Sequence, residues 1–176
     1  AKAIADVVSE ASTAGGGLCI LIGRQYGSGG RAIGKKLAEQ LGFAFYDKDI
    51  IQMAAGTTGY DAEYVSENEE TMAHGLLYDL LHQVYVYPDE KAPRDNIFAA
   101  ESEAIEEIAA KGNAVIVGRC ADYILLGKEN CISVFLFAPT ASRVKRVMET
   151  EHLSEQQARQ KIRQVDRRRA DHYRYY

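Results

Sequence analysis

The sequence predicts an α/β domain built on a mainly parallel sheet, and three observations carry that prediction. The runs Leu18–Ile22, Ala114–Val117 and Ile132–Phe137 are continuously apolar rather than alternating, as in strands buried on both faces. Stretches with apolar residues at helical spacing stand between them. Glycines and charged residues follow the strand candidates, where parallel sheets gather a ligand at their carboxyl ends.

Composition supports one globular domain: 176 residues, 47% hydrophobic and 26% charged, with only 3 Pro, long enough for a real core and unlike a disordered or collagen-like chain. No apolar run reaches the roughly 18 to 20 residues of a membrane-spanning helix. The opening AKAIADVVSEASTAGGG lacks the charged start and long apolar stretch of a secretory signal, so residues 1–17 read as an N-terminal extension. A cytoplasmic address with no membrane contact is expected. Cys19, Cys120 and Cys131 form no C-x-x-C pair and are expected to be reduced, buried apolar side chains. His74, His82, His152 and His172 show no paired metal spacing.

Taken in order, Leu18–Ile22 is the first strand, followed by a glycine-rich loop. From about Arg31, the recurrence of Ile33, Leu37 and Leu41 with Ala38 predicts an amphipathic helix closed by Gly42. Phe43–Tyr46 reads as a short second strand, and Ile50, Ile51, Met53 and Ala54 suggest another helix. Residues 56–95 combine an acidic patch with the helical stripe Leu76, Leu77, Leu80, Leu81 and Val84, and read as a helical insert. Ile97, Ala104, Ile105 and Ile108 predict a helix stopped at Lys111-Gly112. Ala114–Val117 is a buried strand ending at Gly118-Arg119, and Ile132–Phe137 is a further buried strand ending before Pro139. Val144, Val147 and Met148 have helical spacing. Ser154 and Gln157 form a capping box opening a last helix with Ala158, Ile162 and Val165 on one side.

The loop Gly23-Arg24-Gln25-Tyr26-Gly27-Ser28-Gly29-Gly30-Arg31 is long enough to wrap a phosphate in backbone N–H groups. Glycines at 27, 29 and 30 remove side chains that would block the approach, and a helix N-terminus favours an anion. A glycine turn without a ligand is the plain alternative. Gly27 to Ala32 also satisfies G-x-G-x-x-A, with Asp47 20 residues after Gly27, which would suit a dinucleotide-binding domain. The spacer from Arg24 to Tyr26 instead gives the longer loop of a nucleoside-triphosphate site.

The run GRQYGSGGRAIGKKLAEQLGFAFYDKDII, the segment KGNAVIVGRCADYIL and the late arginine-rich helix resemble the cytidylate kinase-like family, relatives of the P-loop nucleoside monophosphate kinases. The similarity extends over nearly the whole chain from Leu18. It implies a P-loop NTPase-type three-layer fold over 18–176, with an acceptor-binding helical insert at about 56–95 and a lid with C-terminal helices at about 140–176, a region that in relatives of this family usually runs on further. The implied activity is ATP-dependent phosphoryl transfer with Mg²⁺ to a nucleoside monophosphate, CMP or dCMP. Phosphoryl transfer fits such a plan, because alignment and well-placed cations lower its barrier.

The sequence departs from the consensus G-x-x-x-x-G-K-[ST]. Aligned on GKKLAEQLGF, the Lys and Mg-binding Ser/Thr positions hold Gly30 and Arg31. Arg31 can offer a charged fork to phosphate but cannot ligate a metal, and Ser28 is the loop's only hydroxyl. That departure motivates a second reading, a P-loop-derived domain that binds phosphate without turnover.

The candidate nucleotide-binding residues are thus Gly27, Ser28, Gly29, Gly30 and Arg31, with Ser28 as a metal contact and Asp47 as a contact to a Mg²⁺-bound water or to the acceptor. Asp47 could instead cap the helix at Ile50, a role better suited to Asp49. By resemblance Arg119 and Asp122 contact the acceptor, although Cys120 and Ala121 separate them here; the alternative for Arg119 is an ion pair with Asp47 or Asp122. Arg167, Arg168 and Arg169 are lid candidates, yet successive helical residues point about 100° apart and cannot all face one ligand. Net charge is −4, with Asp61, Glu63, Glu67, Glu69 and Glu70 in the middle and the arginines near the end. The basic run suits an anion or a solvated face. Nucleic acid is not expected as a partner, since no aromatic stacking module accompanies it.

Overall fold

The computed structural model describes residues 17–48, 50, 52–53, 56 and 93–176. The N-terminal extension (apart from Gly17), Asp49 and almost all of the 56–95 insert lie outside the described residues. Four strands form one parallel sheet: β1 (Cys19–Arg24), β2 (Ala44–Tyr46), β3 (Ala114–Val117) and β4 (Cys131–Leu136), in the order β2-β3-β1-β4. In register, Cys19 stands between Ala114 on β3 and Cys131 on β4. This is the predicted α/β class with a parallel sheet.

The chain forms two compact units, residues 1–47 with 105–163 and residues 48–104 with 164–176. The first contains the sheet. β1 and β3 are buried along Cys19–Ile22 and Ala114–Val117, which explains their unbroken apolar runs. Helix α1 (Gly30–Leu41) lays Leu37 and Ala38 onto Ile20, Ile22, Val115 and Val117. Gly34 permits that approach, because a Cβ there would meet Val117 at 3.0 Å and Ile22 at 3.2 Å. The helix stops at Gly42, which takes the left-handed conformation and donates its N–H to Ala38 O.

Helix α2 (Pro93–Lys111) ends at left-handed Gly112 and Asn113, as the Lys-Gly stop predicts. Asn113 then ties strands together: its Oδ1 accepts from Leu18 N and its carbonyl from Ala44 N. The one-turn helix α3 (Ala121–Ile124) follows β3. Helix α4 (Thr140–Glu151) starts after Pro139, and α5 (Glu155–Tyr175) starts on the predicted capping box. Ser154 N–H donates to Gln157 Oε1 at 2.9 Å, and Gln157 N–H returns to Ser154 Oγ at 3.4 Å. A second small core joins Val144, Val147, Ala158 and Ile162, with Tyr26 packed against it.

β4 corrects the sequence reading. It is an edge strand among the described residues, opposite β2, with Phe135 63% exposed and Phe137, just beyond it, 77% exposed. An apolar run alone cannot distinguish an edge strand with outward phenylalanines from a central one.

In the second unit, Tyr176 stacks on Phe98 with ring centroids 3.6 Å apart, and His172 meets Tyr176 edge-on at 5.1 Å. Tyr175 donates its hydroxyl to Asp95 at 3.3 Å. Glu101, on α2, is 1% exposed.

Candidate functional site

The β1–α1 connection runs toward β2 on one side of β1, while the β3–β4 connection crosses to the other side. The chain therefore switches direction between the carboxyl ends of β1 and β3, the place where open parallel sheets bind ligands. Two segments meet there: the loop 25–29 leading into α1, and the turn 118–120 leading into α3.

Left-handed glycines at 27 (φ 75°) and 29 (φ 87°) shape the loop. Gln25 anchors it by donating its N–H to Leu136 O and accepting Ala138 N–H on its side-chain oxygen. Ser28 is 6% exposed, and its hydroxyl donates to Gln25 O at 2.8 Å, so this candidate metal contact is turned into the loop. The N-cap of α1 is Gly29, and the first i→i−4 bond runs from Ile33 N to Gly29 O at 3.0 Å. The amides of Gly30, Arg31 and Ala32 stand ahead of that ladder, the arrangement that receives an anion.

Helix α4 braces the loop from outside. Arg143 Nη1 donates to Tyr26 O at 3.2 Å, and Arg146 Nη1 donates to Gly27 O at 2.7 Å. The Arg146 guanidinium also covers Gly29, where an added Cβ would lie 3.3 Å from its Cζ. Glu151, near the end of α4, accepts from both Tyr26 OH and Lys161 Nζ, linking loop, α4 and α5. Burial would raise the Glu151 carboxyl, but these hydrogen bonds and the Lys161 charge outweigh it and hold it below its ordinary value.

Arg31 and Asp47 meet: Arg31 Nε lies 3.0 Å from Asp47 Oδ2, with the arginine largely exposed and the carboxylate buried. Of the sequence-predicted site residues, Arg31 and Asp47 are thus brought together as an ion pair. Arg119 and Asp122 share the turn after β3, where Gly118 (φ 81°), Arg119 (φ 60°) and Cys120 (φ 50°) are left-handed in succession. Strain of this kind in non-glycine residues is typical of functional turns.

Arg24, at the end of β1, spans the two segments. A Cβ on Gly30 would lie 2.8 Å from Arg24 Cβ and 2.9 Å from Cγ, while a Cβ on Gly118 would overlap the guanidinium, 2.6 Å from its Cζ. The Arg24 stem thus fills the space beside Gly30, and its flexible head lies against Gly118. Arg24, Arg143 and Arg146 escaped the sequence reading. For Arg24 the signal available in the sequence is a cation at the end of the first strand, opening the loop that leads to the glycine at the P-loop lysine position.

Arg167, Arg168 and Arg169 belong to the second unit. Arg167 and Arg168 are exposed and Arg169 half-buried, in line with the helical geometry, and Arg167 pairs with Asp171 at 3.6 Å. Among the described residues no three His, Cys, Asp or Glu side chains gather to hold a metal ion.

A glycine loop between a central parallel strand and a helix, placed at the switch point, is the arrangement on which phosphate-binding α/β proteins are built. The chain belongs to the cytidylate kinase-like family, whose profile matches residues 19–176. It is 28% identical to an uncharacterized protein from Eubacterium ventriosum of known crystal structure, over 90% of this chain and 77% of that one, with a TM-score of 0.62. More distant similarities reach shikimate kinase from Acinetobacter baumannii in complex with shikimate (19% identity, 93% and 82% coverage, TM-score 0.47) and TT1252 from Thermus thermophilus (18%, 81% and 76%, 0.48). No curated protein matches at the level of sequence. With a kinase-like family shown, the dinucleotide reading is set aside.

Proposed function

We propose that the protein transfers a phosphoryl group from ATP to a nucleoside monophosphate, CMP or dCMP. The observation that carries this reading is the loop itself: Gly27 and Gly29 left-handed, first-turn amides of α1 ahead of the helical ladder, and cationic side chains on either side. In this reading Gly27 to Arg31 cradle the donor phosphates, Arg119 and Asp122 hold the acceptor, and one of Arg167, Arg168 and Arg169 stabilises the transferring group. Transfer asks of these residues alignment and positive charge rather than covalent chemistry.

Kinases of this kind use Mg²⁺, which supplies charge neutralisation on the phosphates when bound. The residues proposed to meet it do not form a metal site as arranged: the Ser28 hydroxyl is bonded to Gln25 O and the Asp47 carboxylate to Arg31. The same observation favours a second reading, a domain that binds a phosphorylated ligand without turnover.

A coupled ADP-release assay over a panel of monophosphates, run beside calorimetric ATP titration, separates the two. Turnover with CMP or dCMP supports the kinase, ATP binding without turnover on any acceptor supports the binding domain, and absence of nucleotide binding rejects both. In a kinase, alanine replacement of Arg167, Arg168 and Arg169 one at a time should lower kcat by about 10³-fold at one position, with KM largely kept.

A further inference from the structure

We infer that Arg24 supplies the phosphate-binding charge that the P-loop lysine supplies elsewhere, delivered from the end of β1 instead of from the start of α1. The inference rests on the ATP reading above and names the residue that makes the loop work without its lysine.

The geometry points there from two independent places. At position 30, where the consensus lysine would stand, any side chain would begin 2.8 Å from Arg24 Cβ and 2.9 Å from Cγ, so the Arg24 stem occupies that space. At position 118, across the switch point, a Cβ would run into the guanidinium, so the head group lies over the start of the β3 turn. Arg24 is half-buried and bounded by the two segments that a bound phosphate chain would meet. Arg31 is a weaker candidate, because its side chain is largely exposed. A planar guanidinium also offers two parallel N–H bonds to phosphate oxygens, where lysine offers a point charge.

The consensus lysine acts on the outer phosphates of the nucleotide, so the role predicts selectivity as well as strength. ATP and AMP are titrated calorimetrically into the full chain. Arg24→Gln should weaken ATP by about 10- to 100-fold, the range for a lost charged hydrogen bond, and leave AMP within about twofold. Arg24→Gly combined with Gly30→Lys moves the charge to the consensus position and should bring ATP affinity back to within about threefold of the parent. Arg24→Lys should retain part of it. If Arg24→Gln fails to fold by circular dichroism, the last two variants carry the test.

Unchanged ATP affinity in Arg24→Gln would overturn the inference, as would equal losses for ATP and AMP, which mark a structural prop. Both results leave the kinase-like reading standing. A parent chain that binds neither nucleotide sinks that reading, and the role of Arg24 with it.

Discussion

At Glu101, burial decides the chemistry. Desolvation pushes its carboxyl from 4.5 to about 8, so the folded chain keeps a proton that the unfolded chain releases. The unfolded state binds fewer protons across that interval, and stability falls as pH rises from about 4.5 to about 8, then levels. Urea unfolding on either side of neutrality should show this loss, and Glu101→Gln should remove it and be the more stable protein above pH 8. Glu151 behaves in the opposite sense. Its lowered folded value makes its contribution present above the unfolded value of 4.5 and lost as pH falls through the folded one. Tyr26→Phe and Lys161→Met should each flatten that acid limb in a pH-dependent melt, because each removes one of its donors.

Among the elements, the β1 loop and the start of α1 carry the tightest constraints. Gly29→Ala places a Cβ in a left-handed conformation and 3.3 Å from the Arg146 guanidinium. It should cost about 1 kcal/mol of stability and weaken ATP binding besides, read by thermal unfolding and calorimetry. Ser154→Ala, which opens the capping box of α5, should cost about 1 kcal/mol with nucleotide affinity unchanged. These elements were legible in the sequence because each has a local cause: the buried apolar runs of β1 and β3, the glycine at the end of α1, the Ser-Gln spacing before α5. The exposure of Phe135 was not, since a strand's place in a sheet depends on what pairs with it. Nor were the braces from Arg143 and Arg146, which lie more than a hundred residues along the chain from the loop carbonyls they bond and carry no periodic mark. The path of Arg24 belongs to the same class: one side chain comes against two glycines far apart in sequence only once the strands are in register.

For the molecule as a whole, the formal charge is −4, yet Arg24, Arg31, Arg119, Arg143 and Arg146 gather at the carboxyl end of the sheet. An anionic nucleotide approaching this acidic protein would be steered by that local field rather than by net charge. Raising salt from about 0.01 M to about 1 M shortens the screening length from about 30 Å to about 3 Å. ATP association measured by stopped flow should therefore slow with salt, while dissociation changes much less.

The three left-handed residues in a row at Gly118, Arg119 and Cys120 set stability against performance. Two of them hold side chains where glycine would sit more comfortably, each at a cost of about 1 kcal/mol. A library of variants sorted only for heat resistance should therefore accumulate glycine at 119 and 120. Its winners would melt later but lack the guanidinium that the proposed acceptor site calls on: an inherited compromise that thermal selection would undo.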